Sequence, residues 1–131
     1  LYKKHPYEKD ADYSDLKHKK ITTIGNNEHD ICYYLAKAYC QVGAYSTALY
    51  EGICFKLPTF IISNLYCADD VCNLLQGEKG VYTVESAAQV YDILFNKTVK
   101  KPNKNLINKL WFPVNHERII KTVTKIIKNN Q

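Results

Sequence analysis

Two adjacent hydroxyl residues, with a glutamate one helical turn later, form the group in this chain best suited to chemistry. Ser46 and Thr47 follow an apolar run and precede residues that fall at helical spacing. Unpaired N–H groups and the helix dipole attract anions at a helix start, and hydroxyl groups add donors. Glu51 lies about one turn further along, where a carboxylate can accept hydrogen bonds from two vicinal ribose hydroxyls. The pattern predicts a phosphate site at Ser46 and Thr47, with Glu51 close to it.

The elements around these residues have the pattern of a βαβ unit. The apolar run from 38 to 44 predicts a buried strand, the helix begun by Ser46 stops at Leu57-Pro58, and 59–62 predicts a second strand. Short β-branched runs and helical segments alternate in the rest of the chain, which favours an α/β fold with a Rossmann-like parallel sheet and flanking helices. Ligands of such sheets bind at the carboxyl ends of the strands. The further segments predict strands at 1–5, 20–25 and 80–83, and helices at 28–37, 64–76 and 84–95, the last capped by Thr83.

Two more residues are expected at the carboxyl edge. His5, before Pro6, ends the first predicted strand, and Glu28 opens the helix that Asn26 or Asn27 can cap. Ordinary structural roles remain open for each candidate. His5 can be a loop histidine, Ser46 a simple helix cap, and the glutamate at position 51 a solvent-exposed helix residue.

Length, charge and composition limit the classes of protein to which this chain can belong. The 131 residues fit one domain, and a net charge of +5 does not by itself indicate nucleic acid binding. The four histidines form no ligand cluster, and no apolar run reaches the length of a membrane span. We expect no signal peptide, and five cysteines without a C-x-x-C pair predict reduced, buried, metal-free thiols in a cytosolic protein. These cysteines are Cys32, Cys40, Cys54, Cys67 and Cys72.

The C-terminal part of the chain, from residue 96, differs in composition from the part before it. Residues 96–112 are rich in lysine and asparagine and predict a basic loop, after a core domain at 1–95. Residues 113–131 predict an amphipathic helix with isoleucines on one face and lysines on another. Packing on the domain surface is favoured for this helix over lying on a membrane. The chain has no methionine and opens on Leu1 within a predicted strand, so we expect it to be a piece of a longer protein.

These motifs together resemble a known enzyme family. The order of His5-Pro6, Ser46-Thr47 and Lys56-Leu57-Pro58 resembles the C-terminal half of GT-B glycosyltransferases. Residues 44–62, AYSTALYEGICFKLPTFII, are similar to the donor-binding segment of transferases that build bacterial capsules and other surface polysaccharides. The pairing of KKHP with a Ser-Thr dipeptide resembles bacterial sialyltransferases, and CDP-glycerol transferases carry a related pair. The likeness spans residues 1–95.

The resemblance implies roles for the candidate residues. His5 would contact the donor phosphate and act in catalysis, and Ser46 and Thr47 would bind the same phosphate. Glu51, or Glu28 in the sialyltransferase pattern, would hold the ribose.

Lys3 would lie near the base. Lys4 stands where the sialyltransferases tend to have a small residue, which argues against CMP-sialic acid specificity. UDP-sugar 2-epimerases share the fold but have a Ser-Gly-Gly turn where this chain has Ser46-Thr47-Ala48.

The function implied is that of the nucleotide-sugar-binding half of a GT-B glycosyltransferase of bacterial surface or capsular polysaccharide biosynthesis. Its N-terminal acceptor domain is absent from this sequence, so we expect no activity from the chain alone. A nucleotide sugar is the expected ligand, without metal, cofactor or nucleic acid. A cytoplasmic location is expected, with peripheral association of the whole enzyme with the inner face of the membrane. The alternatives are a CDP-glycerol-type phosphotransferase, a UDP-sugar 2-epimerase domain and a non-catalytic Rossmann-like binding module.

Overall fold

The computed structural model of this chain describes residues 1–3, 21–25, 29–65 and 68–111, together with 120, 121 and 125. Strands and helices alternate along most of this length. The strands are β1 (Tyr2–Lys3), β2 (Thr23–Ile24), β3 (Gln41–Gly43), β4 (Thr59–Ile62) and β5 (Val81–Val84). The helices are α1 (Ile31–Leu35), α2 (Ala48–Cys54), α3 (Asp69–Leu75), α4 (Ala87–Asn96) and α5 (Lys104–Leu110).

All strand pairs in the described residues are parallel. β3, β4 and β5 form one sheet in that order, and β1 pairs with β2. In the three-stranded sheet Gly43 stands opposite Ile61, which in turn stands opposite Thr83. This register brings the carboxyl ends of the three strands to one edge, which we call the carboxyl edge. The predicted α/β class with parallel sheets and flanking helices is confirmed.

The core lies where three helices meet one face of the β3–β4–β5 sheet. α2 contributes Leu49 and Ile53, and α3 contributes Val71 and Leu75. Ile61 of β4 completes this cluster with Leu106 of α5, and all six side chains are at most 3% exposed. Burying an aliphatic side chain contributes roughly 1.5–3 kcal/mol relative to leaving it exposed, so this cluster fixes the helices on the sheet.

Several predicted elements are confirmed with shifted ends. The strand predicted at 59–62 is β4, residue for residue, and the strand predicted at 38–44 is the shorter β3. The helix predicted to begin at Ser46 begins at Ala48. The helix predicted at 28–37 is α1, and the side chain of Asp30 caps it by accepting a hydrogen bond from the N–H of Cys32. The candidate caps at 26 and 27 lie outside the described residues.

Two predictions about the second half of the chain are wrong. Val84 belongs to β5, where its carbonyl accepts a hydrogen bond from the N–H of Ser63 at 2.9 Å, so the next helix cannot begin there. Ser86 caps α4 instead of Thr83. The predicted basic loop contains the helix α5, capped by Asn103. Leu106, only 1% exposed, supplies the tertiary contact that stabilises α5.

The C-terminal segment is described at three positions. Ile120, Lys121 and Lys125 have helical backbone. The side chain of Ile120 is 64% exposed, so the prediction that it packs on the domain is wrong for this residue. The rest of 113–131 lies outside the described residues. Within the part of the chain that is described, no helix is long and apolar enough to cross a membrane.

Candidate functional site

The carboxyl edge of the sheet carries the hydroxyl pair. β3 ends at Gly43, and the turn that follows brings Ser46 and Thr47 to the start of α2. The neighbouring strand, β4, ends at Ile62, so its following loop lies at the same edge. Ser46 and Thr47 therefore lie at the edge where ligands of parallel sheets bind.

The hydrogen bonds of this turn differ from the sequence prediction. The hydroxyl of Ser46 accepts from the N–H of Ala48 at 3.2 Å, and its carbonyl accepts from the N–H of Leu49 at 3.1 Å. The carbonyl of Thr47 accepts from the N–H groups of Tyr50, at 3.0 Å, and Glu51, at 3.3 Å. The N–H groups that open α2 therefore donate within the turn and are not available to an anion. The side chains remain as donors: the Thr47 side chain caps nothing and is exposed, and the Ser46 hydroxyl keeps its own hydrogen to donate.

Glu51 is half-buried on α2, and its Oε2 atom is inaccessible to solvent. Within the described residues no donor reaches this oxygen. A buried carboxylate oxygen without a partner is unfavourable, because it has lost its hydration without gaining a hydrogen bond. The alternative of an ordinary solvent-exposed glutamate is therefore wrong for this oxygen. Neither its burial nor its lack of a partner could be read from helical spacing.

The charge of Glu51 also acts on two thiols. Cys54 lies three residues later on α2, and Cys32 lies on α1, which packs against α2. Desolvation, and then the Glu51 carboxylate, raises the pKa of Cys54. Desolvation and the Asp30 carboxylate raise the pKa of Cys32, with a smaller contribution from Glu51. Both thiols are therefore held in the protonated, less nucleophilic form at neutral pH.

A polar network that the sequence did not reveal attaches α2 to the sheet. The amide nitrogen of Gln41 donates to the carbonyl of Leu49 at 2.7 Å and to the hydroxyl of Thr59 at 2.8 Å. Thr59, fully buried, donates in turn to the carbonyl of Leu57 at 3.0 Å. Gly52 gives the Gln41 side chain room, because a Cβ at that position would collide with it. This network joins α2 to the first residues of β3 and β4, at the amino ends of these strands.

Lys3 is the described candidate from the first strand pair. Its ammonium group donates to the carbonyl of Gly25 at 2.7 Å, which joins the carboxyl ends of β1 and β2. The lysine predicted to lie near the base therefore also has a structural contact. His5 and Glu28 lie outside the described residues.

The carboxyl edge is acidic. Asp69 and Asp70 open α3 and Glu85 follows β5, so three carboxylates lie along this edge, and Glu51 lies on α2 one turn after the hydroxyl pair. The described residues at this edge, 44–51, 63–65, 68–70 and 85–89, include no lysine, arginine or histidine. The pKa of Tyr50 is raised, mainly because its hydroxyl is partly buried and also because the Asp70 carboxylate is negatively charged. A phosphate bound here must be held by hydroxyl donors against these negative charges.

The described cysteines are all free thiols. Cys40, Cys54 and Cys72 are half-buried, but Cys32 is exposed, so the prediction of a buried thiol is wrong for Cys32. Cys67 lies outside the described residues. Among the residues that are described, no three His, Cys, Asp or Glu side chains come together as a metal site. That the protein works without a metal stays a prediction.

Comparisons of this chain with protein-family models, with curated proteins and with solved structures give no match.

Proposed function

We propose that this chain is the nucleotide-sugar-binding domain of a glycosyltransferase that acts in bacterial surface or capsular polysaccharide biosynthesis. Its Rossmann-like sheet would then be one half of a GT-B architecture. One observation carries the proposal: Ser46 and Thr47 follow a strand of a parallel sheet at its carboxyl edge, and Glu51 lies on the helix that they open. Hydroxyls for a phosphate and a carboxylate for a ribose are the two kinds of group that a nucleotide requires.

The hydroxyls would act on the leaving group. When an acceptor hydroxyl attacks the anomeric carbon, negative charge grows on the phosphate oxygens of the departing nucleotide. Ser46 and Thr47 would donate hydrogen bonds to these oxygens, and such preorganised donors stabilise developing charge. His5 would add a hydrogen bond or a proton at the same phosphate.

Glu51 would hold the ribose. Its unpartnered oxygen has the capacity to accept two hydroxyl donors, which would replace the hydrogen bonds lost on burial. Because that oxygen is inaccessible to solvent, a ribose reaches it only after the side chain or the atoms covering it move. Glu28 is the alternative ribose ligand, and Lys3, at the ends of β1 and β2, would lie near the base.

Calorimetric titration of the 131-residue chain with CMP, CDP, UDP and GDP tests this function. We expect one of them to bind with a dissociation constant of roughly 0.1–1 mM, because a half-site leaves one side of the ligand in water. Incubation with the matching nucleotide sugar should release no nucleotide, since transfer requires an acceptor held in near-attack geometry. Robust turnover would show that the chain is a complete enzyme. Absence of binding by any nucleotide, with the fold intact by circular dichroism, would favour a non-catalytic module.

A further inference from the structure

The edge of the sheet opposite the candidate site is rich in lysine. Lys56 precedes β4, and Lys79 precedes β5. After α4 the chain returns to the same edge. There the backbone of Pro102 packs closely against Gly80, just before β5, so that a Cβ at Gly80 would collide with the backbone nitrogen of Pro102. Five lysines therefore gather around the amino ends of β4 and β5, and we call them the amino-edge patch: Lys56, Lys79, Lys100, Lys101 and Lys104.

The amino-edge patch is exposed and its charge is not neutralised locally. All five side chains are exposed, and none forms an ion pair with another described residue. The two further lysines of this region are paired, Lys97 with Asp92 at 2.9 Å and Lys109 with Glu78 at 2.8 Å. The patch thus presents five positive charges, while the opposite edge presents carboxylates. This separation of charge favours an anionic partner for the amino edge.

Apolar side chains lie exposed beside these lysines. Phe55, 40% exposed, precedes Lys56, and Phe95, 69% exposed, lies at the end of α4 from which the chain returns to the patch. Exposed phenylalanines beside unpaired lysines form a surface that complements a partner that is both apolar and anionic.

We propose that the amino-edge patch, with Phe55 and Phe95, binds the surface of a bilayer containing anionic phospholipid. The lysines would contact the headgroup phosphates, and the apolar side chains would enter the boundary between headgroups and acyl chains. A bilayer provides both the phosphates and the apolar boundary that this surface complements, and nucleic acid is the rival that the oligonucleotide in the test below represents. In this orientation the carboxyl edge, on the opposite side of the sheet, faces away from the bilayer. The inference does not depend on the ligand of the carboxyl edge.

Vesicle flotation of the full 131-residue chain tests the inference. The chain should float with vesicles of phosphatidylglycerol and phosphatidylcholine and remain unbound with phosphatidylcholine alone. Substitution of Lys100, Lys101 and Lys104 by glutamine should lower partitioning roughly tenfold or more, because each lysine near an anionic surface contributes separately. The matched control replaces Lys37, Lys97 and Lys109 by glutamine, which gives the same net charge. It should keep most of the binding, because these lysines are already engaged by Tyr33, Asp92 and Glu78.

The apolar contribution is tested by Phe55→Ser with Phe95→Ser, which should weaken binding severalfold at a salt concentration that screens the lysines. Circular dichroism confirms that each variant is folded. Equal losses in the two triple lysine variants would overturn the assignment to the amino-edge patch. Equal binding to neutral vesicles, or tighter binding to a single-stranded oligonucleotide than to phosphatidylglycerol vesicles, would overturn the membrane as partner.

Discussion

The two edges of the β3–β4–β5 sheet differ in charge and in how closely the backbone packs. At the carboxyl edge, short turns present Ser46, Thr47 and carboxylates, without a basic residue in the part that is described. At the amino edge, the chain returning from α4 passes close against Gly80 and presents lysines. Parallel strands produce this asymmetry, because all of them begin at one edge and end at the other.

The difference separates two kinds of binding within one small sheet. The carboxyl edge offers hydroxyl hydrogens and an unpartnered carboxylate oxygen, which suit directed contacts to one ligand. The amino edge presents several separate lysines on backbone that packs closely at Gly80, an arrangement that suits a broad anionic surface. Changes at one edge should therefore alter one property and leave the other, and the following variants test that independence.

The largest effect is expected at Gly80. Its φ of 86° is left-handed, and an added Cβ would overlap the backbone of Pro102. Gly80→Ala should lower the free energy of unfolding by about 3 kcal/mol or more, with a fall in Tm of about 10 °C. Gly77→Ala is the matched control, because its φ of 78° is similar but nothing lies within 4 Å of the added Cβ. It should lose only about 1 kcal/mol. Equal losses on thermal denaturation would show that the close packing of the amino edge has no energetic consequence.

The next largest effect concerns the hydroxyl pair. Replacing Ser46 or Thr47 by alanine should weaken nucleotide binding about tenfold each, since a hydrogen bond to a charged group contributes ~1.5–3 kcal/mol. Binding to anionic vesicles should not change. Calorimetry measures the first property and flotation the second. Wild-type nucleotide affinity in the double variant would remove the phosphate assignment, and lost vesicle binding would show that the edges are not independent.

Glu51→Gln should separate stability from binding. Removing the charge from a buried oxygen that has no donor in the described part of the chain should raise the free energy of unfolding by about 1 kcal/mol. The same change should weaken nucleotide binding severalfold, because an amide is a poorer acceptor for ribose hydroxyls. Urea denaturation and calorimetry measure the two properties. A loss of stability would reveal a stabilising partner for the carboxylate, and unchanged nucleotide affinity would remove Glu51 from the proposed site.

The smallest effect is expected from the acidic surroundings of the hydroxyl pair. Asp70→Asn removes one negative charge from the carboxyl edge and should tighten nucleotide binding about twofold, with the gain disappearing at high salt. Asp92→Asn, on α4 and paired with Lys97, is the control and should leave nucleotide affinity unchanged. Equal changes in the two variants would mean that only net charge matters and that the carboxyl edge has no local field.

The arrangement of the βαβ unit was predictable from the sequence. β4 is bounded by Pro58 before it and a polar residue after it, and its four residues are β-branched or aromatic, so local preference and burial agree. The position of Ser46 and Thr47 at the carboxyl edge followed from the order of strand, hydroxyls and helix. Where local preference and tertiary context coincide, the sequence suffices.

The predictions failed where a single long-range contact decides the structure. α5 lies in a lysine- and asparagine-rich stretch after Pro102, and it is stabilised by Leu106 packing into a core built from residues far earlier in the chain. Val84 has the pattern of a helix start, yet its backbone completes the ladder with Ser63. Neither partner is visible from a local window.

The same distinction divides the candidate site. Residue types and spacing by themselves determined that hydroxyls, followed by Glu51, come at the carboxyl edge of a parallel sheet. Only the tertiary structure decided that the N–H groups opening α2 donate within their own turn, and that Oε2 of Glu51 is buried without a donor among the described residues. It also decided that lysines distant in sequence gather at the opposite edge, because the backbone at Pro102 packs against Gly80. The physical reason is that local sequence sets dihedral preferences, whereas burial and charge clustering depend on which distant segments the fold brings together.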